Sequence, residues 1–179
     1  EERRAAARIF KEPTTVFTGD KQSFIDQMEN ALHAAPIITY AQGMELLRQA
    51  SQAYGYGLNL ETVARIWTGG CIIRARLLED SQTAFRDDPG LANLVMAPVV
   101  REALQGCLPD LRSVVGRAAE MGIPVPGLMM ALAYHDAYRS QWLPANLVMA
   151  QRDYFGSHTY QRIDAEGTFH TQWEQMQRK

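Results

Sequence analysis

The stretch Leu143-Pro144-Ala145-Asn146-Leu147-Val148-Met149-Ala150-Gln151-Arg152-Asp153-Tyr154-Phe155-Gly156-Ser157-His158-Thr159-Tyr160 reads as one short helix running into a tail. Pro144 suits a first helical turn, where its missing N–H loses nothing and its fixed φ is already helical. Gly156 can take the left-handed conformation that ends a helix without a Cβ penalty. Between them Leu147, Val148, Ala150 and Tyr154 give an apolar side at helical spacing, and Arg152 is expected in the last turn, where the helix dipole favours a cation. His158 follows just past the stop. An Arg and a His at such a place can hold a phosphate, because a guanidinium offers a planar fork to its oxygens and an imidazole adds a donor. The same residues can equally complete a dipole and furnish an ordinary surface histidine, and on spacing alone this plainer reading is favoured.

Working outward, the chain before this stretch reads as helix after helix. Residues 1–11 look helical and begin in mid-pattern; Pro13 ends that segment and Thr14 to Gly19 is a loop. Asp20 is a candidate N-cap for a long, largely buried helix in which Phe24, Ile25, Met28, Leu32, Ile38, Ala41 and Leu46 or Leu47 recur to about Tyr54, with Pro36 expected to kink it. Asn59 can cap a helix through Trp67. Gly69-Gly70 breaks the chain before an apolar side made by Cys71, Ile72, Ile73, Leu77 and Leu78, flanked by Arg74 and Arg76. Asp87-Asp88-Pro89-Gly90 is turn chemistry, Val99 to Gly122 reads as a further long helix with Pro109 as a break, and Ile123 to Pro126 is a stiff connector. Leu128 to Ser140 is the next helix, with His135, Asp136 and Arg139 as polar packing and surface groups.

Past Gly156, Thr159–Ile163 and Thr168–Trp173 suggest an irregular hairpin around Asp164-Ala165-Glu166-Gly167. A lone two-stranded unit is too small to stand by itself, so Tyr154, Phe155, Tyr160, Phe169 and Trp173 should dock it on something. The expectation is an all-α fold of two parts: a helical domain over residues 1–155 and an extended tail over residues 156–179.

Composition narrows the class. With 179 residues there is room for about one sizeable core. Hydrophobic residues at 46% and charged residues at 21% match an ordinary globular protein, and no apolar run approaches the ~20 residues a membrane helix needs. A net charge of -2 gives no field that would collect nucleic acid. Without a secretory pattern at Glu1-Glu2-Arg3-Arg4, the expected home is the cytoplasm, where Cys71 and Cys107 would be buried free thiols. No Cys and His spacing fits a zinc site, and no strand–helix alternation of the dinucleotide-binding type occurs.

The run LPANLVMAQRDYFGSHTY (143–160), followed by GTFHTQW (167–173), resembles the C-terminal signature of the 6-phosphogluconate dehydrogenase family, the decarboxylating enzymes of the pentose phosphate pathway. The likeness extends through ITYAQGMELLRQAS (38–51), GGCIIRARLLED (69–80) and GIPVPGLMMALAYHDAYRSQWLPAN (122–146). It implies the second half of the family's helical domain plus its tail. In the family an N-terminal Rossmann domain binds NADP, and a catalytic Lys and Glu lie upstream of the region resembled here. The resemblance further implies a homodimer in which the tail reaches the neighbouring subunit, where Arg152 and His158 would bind the 6-phosphate of 6-phosphogluconate. The implied reaction is hydride transfer from C3 to NADP, decarboxylation, and protonation to ribulose 5-phosphate. This chain alone is expected to be inactive, with no catalytic, cofactor or metal residues of its own. The alternative is a stand-alone helical dimerisation or sugar-phosphate-binding module without catalysis.

Overall fold

Asp20 begins the element on which the first half of the molecule is built. Its Oδ1 accepts the Ser23 N–H at 2.7 Å and caps a 34-residue helix, α2 (Lys21–Tyr54), which Gly55 ends in the left-handed conformation at φ 68°. The computed structural model describes residues 1–70 and 75–176. The expected apolar face at Cys71, Ile72 and Ile73, with Arg74 beside it, lies outside the described residues. The chain divides into two compact units, Glu1–His135 and Asp136–Lys179.

In the first unit α1 (Glu2–Ile9) precedes α2, and α3 (Leu60–Trp67) is capped by Asn59, whose Oδ1 accepts the Thr62 N–H at 2.7 Å. Next come α4 (Arg76–Asp87), a single 3₁₀ turn at Leu94–Met96, and α5 (Pro98–Glu120). The helix α6 (Pro126–Tyr138) runs across the division between the units. The core forms where α2 and α5 lie along each other. The buried stripe of α2 is rich in small side chains, Ala31, Ala34, Ala35 and Ala41 around Ile38, which lets Leu104, Leu111 and Val114 of α5 approach closely. Two polar bonds fix the direction: Ser113 Oγ donates to Gln27 Oε1 at 3.1 Å, and Asn30 Nδ2 donates to Asp110 Oδ2 at 2.7 Å. Advancing three residues on α2 retreats three on α5, so the pair is antiparallel.

Two expectations for these helices change. Pro109 does not break α5, which runs through it without interruption. The proline deletes one N–H bond, but the buried side chains on either side, Leu104 and Leu111, hold both flanks to α2. Nor is α2 largely buried: Ile25, Leu32 and Leu46 are exposed, Leu32 to 63%. Apolar residues occupy more of its circumference than one neighbouring helix can cover. The end of α5 is as the sequence suggests. Gly122 turns at φ 68°, and a Cβ there would lie 2.7 Å from Pro13 Cδ, so this position needs both the backbone freedom and the missing side chain.

The second unit contains α7 (Ala145–Gly156), the tail, and a last turn of helix, α8 (Trp173–Met176). The hairpin is reduced to one antiparallel bridge, in which Tyr160 and Phe169 exchange both backbone hydrogen bonds at 2.9 and 2.8 Å and stack their rings. Arg162 pairs with Asp164 and lies over the Phe169 ring at 5.5 Å.

Candidate functional site

An acidic residue in the last turn of a helix faces unpaired carbonyls and the negative end of the helix dipole, so it is out of place there unless something compensates. Asp153 is such a residue, because α7 continues to Gly156. It is also the one buried residue of that helix, at 0% exposure. The compensation is a convergence of donors from the tail. Asp153 Oδ1 accepts the Thr159 N–H at 3.0 Å and meets His170 Nδ1 at 2.9 Å; Oδ2 accepts the Thr171 N–H and the Trp173 indole N–H, both at 2.9 Å. Burial works against the charged form, but the hydrogen bonds from His170, Thr171 and Trp173 outweigh it and hold the Asp153 pKa at about 2. Tyr154, the next residue, sets its ring edge-on to Trp173. The tail is therefore tied to the end of α7 through one carboxylate.

The same residue governs the backbone around His158. Ser157 and Thr159 both have positive φ, 51° and 60°, and they are the only non-glycine residues among those described that do. A β-branched residue in that region is strained, at about 1–3 kcal/mol. Ser157 is held by its N–H donating to the Asp153 carbonyl at 2.9 Å, and Thr159 by its N–H on the Asp153 carboxylate and its Oγ1 on the His158 carbonyl at 2.7 Å. So the left-handed residue that ends α7 is Ser157, and Gly156 remains helical. The glycine serves a different need. A Cβ at 156 would lie 3.0 Å from His158 Nε2, so the imidazole lies over the bare Cα.

Arg152, expected in the last turn of α7, sits just before it, and Asp153 takes the place expected of the cation. Arg152 is exposed, and its Nη1 approaches Met149 Sδ at 3.7 Å. Among the described residues it has no carboxylate partner, and no hydrogen bond or ion pair joins it to His158, which is also exposed. The apolar side expected of α7 does not face a core: Leu147, Val148 and Tyr154 are all more than half exposed. A groove of about 900 Å³ runs between α7 and the tail, lined by Trp142, Asn146, Met149, Tyr160, Arg162 and Trp173 among others; Arg152 and His158 are not on its wall.

Little else among the described residues has the makings of a reactive centre. Among the described residues no three His, Cys, Asp or Glu side chains cluster as a metal site, and no helix is long and apolar enough to cross a membrane. Burial and the neighbouring Asp110 push the Cys107 thiol up, away from the nucleophilic thiolate. Asp136 and Arg139 pair at 3.0 Å as a local helical contact. Sequence reasoning missed Asp153. The available signal was its sign, a negative charge at the wrong end of a helix.

Comparison with known proteins bears on the whole chain. The family described as 6-phosphogluconate dehydrogenase, C-terminal domain, matches residues 1–173. Over 173 residues the chain is 53% identical to the decarboxylating 6-phosphogluconate dehydrogenase of Synechococcus elongatus, covering 96% of this chain and 37% of that protein. It is 46% identical over 173 residues to the corresponding protein of Escherichia coli K12, covering 97% and 37%. Among solved structures, Plasmodium falciparum 6-phosphogluconate dehydrogenase, studied in its apo form, with its cofactor NADP+ and with its substrate 6-phosphogluconate, matches with a TM-score of 0.89 at 41% identity. That match covers 96% of this chain and 37% of the other. The chain thus spans a little over a third of the length of these relatives, and its all-helical fold matches the part of the Plasmodium structure it covers.

Proposed function

Since this chain belongs to the 6-phosphogluconate dehydrogenase family, over the C-terminal domain, we propose that it serves as the C-terminal portion of an NADP-dependent enzyme that oxidatively decarboxylates 6-phosphogluconate to ribulose 5-phosphate. Its part in that reaction is substrate binding and assembly. Arg152 and His158 hold the phosphate, and the helical domain over residues 1–155 joins a homodimer in which the tail, 156–179, reaches the partner subunit.

The observation that carries the reading is the pair of groups at the end of α7. A guanidinium with no carboxylate partner among the described residues stands on the same helix end as an imidazole whose backbone is pinned on both sides. A phosphate dianion accepts from both, and the planar fork of Arg152 suits two of its oxygens. Phosphate binding at the far end of the sugar acid orients the reacting end, so its loss affects rate as well as affinity. The uncovered apolar side chains of α7, Leu147, Val148 and Phe155, support a partner surface.

The described residues form no β–α–β unit in which a dinucleotide pyrophosphate could lie. No step of hydride transfer is assigned to this chain. The cofactor and the general acid and base belong, in this proposal, to parts of the enzyme outside residues 1–179, and the chain alone does not turn over. The test is Arg152→Ala in the full-length enzyme. The KM for 6-phosphogluconate should rise about 10- to 100-fold, the scale of a lost charge-assisted hydrogen bond. The KM for NADP should change little, and equal effects on both would count against a phosphate role.

A further inference from the structure

Both backbone neighbours of His158 end on one residue. The Ser157 N–H donates to the Asp153 carbonyl, and the Thr159 N–H donates to the Asp153 carboxylate. A tie between helix and tail needs neither bond, since His170, Thr171 and Trp173 already fasten the far arm of the tail to the same carboxylate. The two bonds beside His158 do something else. They hold two L-residues at φ 51° and 60°, a region that a serine and a β-branched threonine seldom occupy. Strain of this kind persists only where the surroundings over-determine it. If Thr159 relaxed to negative φ, the peptide after His158 would rotate and the imidazole would leave its place over Gly156.

We infer that Asp153 is the positioning residue of the phosphate site: through its carboxylate bond to the Thr159 N–H it fixes where His158 points, and so sets affinity for the phosphorylated end of the substrate. The inference rests on the proposed role of Arg152 and His158 and extends it to a residue that never meets the ligand. It also explains why a carboxylate stands where both burial and the helix dipole oppose one. An Asn has only one oxygen for donors that approach both carboxylate oxygens, and it would turn an N–H₂ towards the others.

The test uses the full-length enzyme, with steady-state kinetics on 6-phosphogluconate and on unphosphorylated gluconate. Asp153→Asn should raise the KM for 6-phosphogluconate about 10-fold, leaving the KM for NADP and the kcat/KM for gluconate within about twofold. Adding Thr159→Gly should restore part of the loss, because glycine adopts a φ near 60° without strain. A residue that merely stabilised the tail would not be rescued at that one position. Thr159→Pro covers the case in which Asp153→Asn fails to fold. It deletes the N–H and forbids positive φ while leaving the other three bonds to the Asp153 carboxylate in place, and it should show the same selective loss. An unchanged KM for 6-phosphogluconate in either single variant, an equal loss with gluconate, or no rescue by Thr159→Gly would overturn the inference. Arg152→Ala and His158→Ala separate it from the reading beneath it. If they abolish the preference for the phosphorylated substrate and Asp153→Asn does not, only the positioning role falls; if they leave that preference intact, both fall.

Discussion

Gly156→Ala sets two predictions against each other at a single Cβ. If this glycine turned the chain at positive φ, alanine would cost about 1–2 kcal/mol of stability. In the structure Gly156 is the last residue of α7, in helical conformation, where alanine is favoured over glycine by up to about 1 kcal/mol. The opposing term is steric: the new Cβ lies 3.0 Å from His158 Nε2 and 3.1 Å from Cδ2, so the ring must retreat by a few tenths of an ångström. The ring is the far end of an exposed side chain and can do so cheaply. Stability should therefore change by less than about 1 kcal/mol, while the imidazole is displaced. If a misplacement of ~1 Å costs about 100-fold, a few tenths of an ångström costs about 4- to 10-fold. Urea unfolding of the chain, followed by circular dichroism, measures the first quantity; the KM for 6-phosphogluconate in the full-length variant measures the second. A stability loss above about 1 kcal/mol with normal KM would refute the placement of the ring over Gly156 and restore the turn as the reason for the glycine.

Other positions give sharper stability effects. Gly122→Ala combines a φ of 68° with a Cβ 2.7 Å from Pro13 Cδ, so a loss of at least about 2 kcal/mol is expected in the same unfolding experiment. Leu111→Ala empties a fully buried place between α5 and α2 and should cost about 2–5 kcal/mol, with a lower unfolding midpoint and retained helical signal below it. Asp153 makes the tail acid-sensitive. Its pKa is lowered from 3.8 to about 2, so its contribution is fully present above the higher value and disappears as pH falls through the lower one. Amide protection at Thr159 and Thr171, corrected for intrinsic exchange, should fall across that window; constant protection would refute the coupling.

What could be read from the sequence was local. Asp20 and Asn59 cap their helices because a short acceptor three residues before an N–H needs nothing distant, and Gly122 stops α5 by the same economy of range. Pro109 misled because the lost hydrogen bond is local while the packing of Leu104 and Leu111 that overrides it is not. Spacing identified Leu32 and Leu147 as apolar-face residues, but spacing cannot say whether a face has a neighbour, and both are exposed. At the candidate site the order Arg152, Gly156, His158 was legible as a helix end. Asp153 was not, because its partners stand at 159, 170, 171 and 173, and only the folded tail brings them together.

The convergence on Asp153 has a thermodynamic side. Fixing a backbone residue costs about 1–2 kcal/mol of conformational entropy, and a floating tail of this length would have to meet that cost whenever it met another surface. Here the segment from Thr159 to Trp173 is closed on the helix end by bonds within its own chain. The loss of freedom has been taken during folding, and a surface that receives this tail receives a body already shaped, so more of the contact energy is left to appear as affinity.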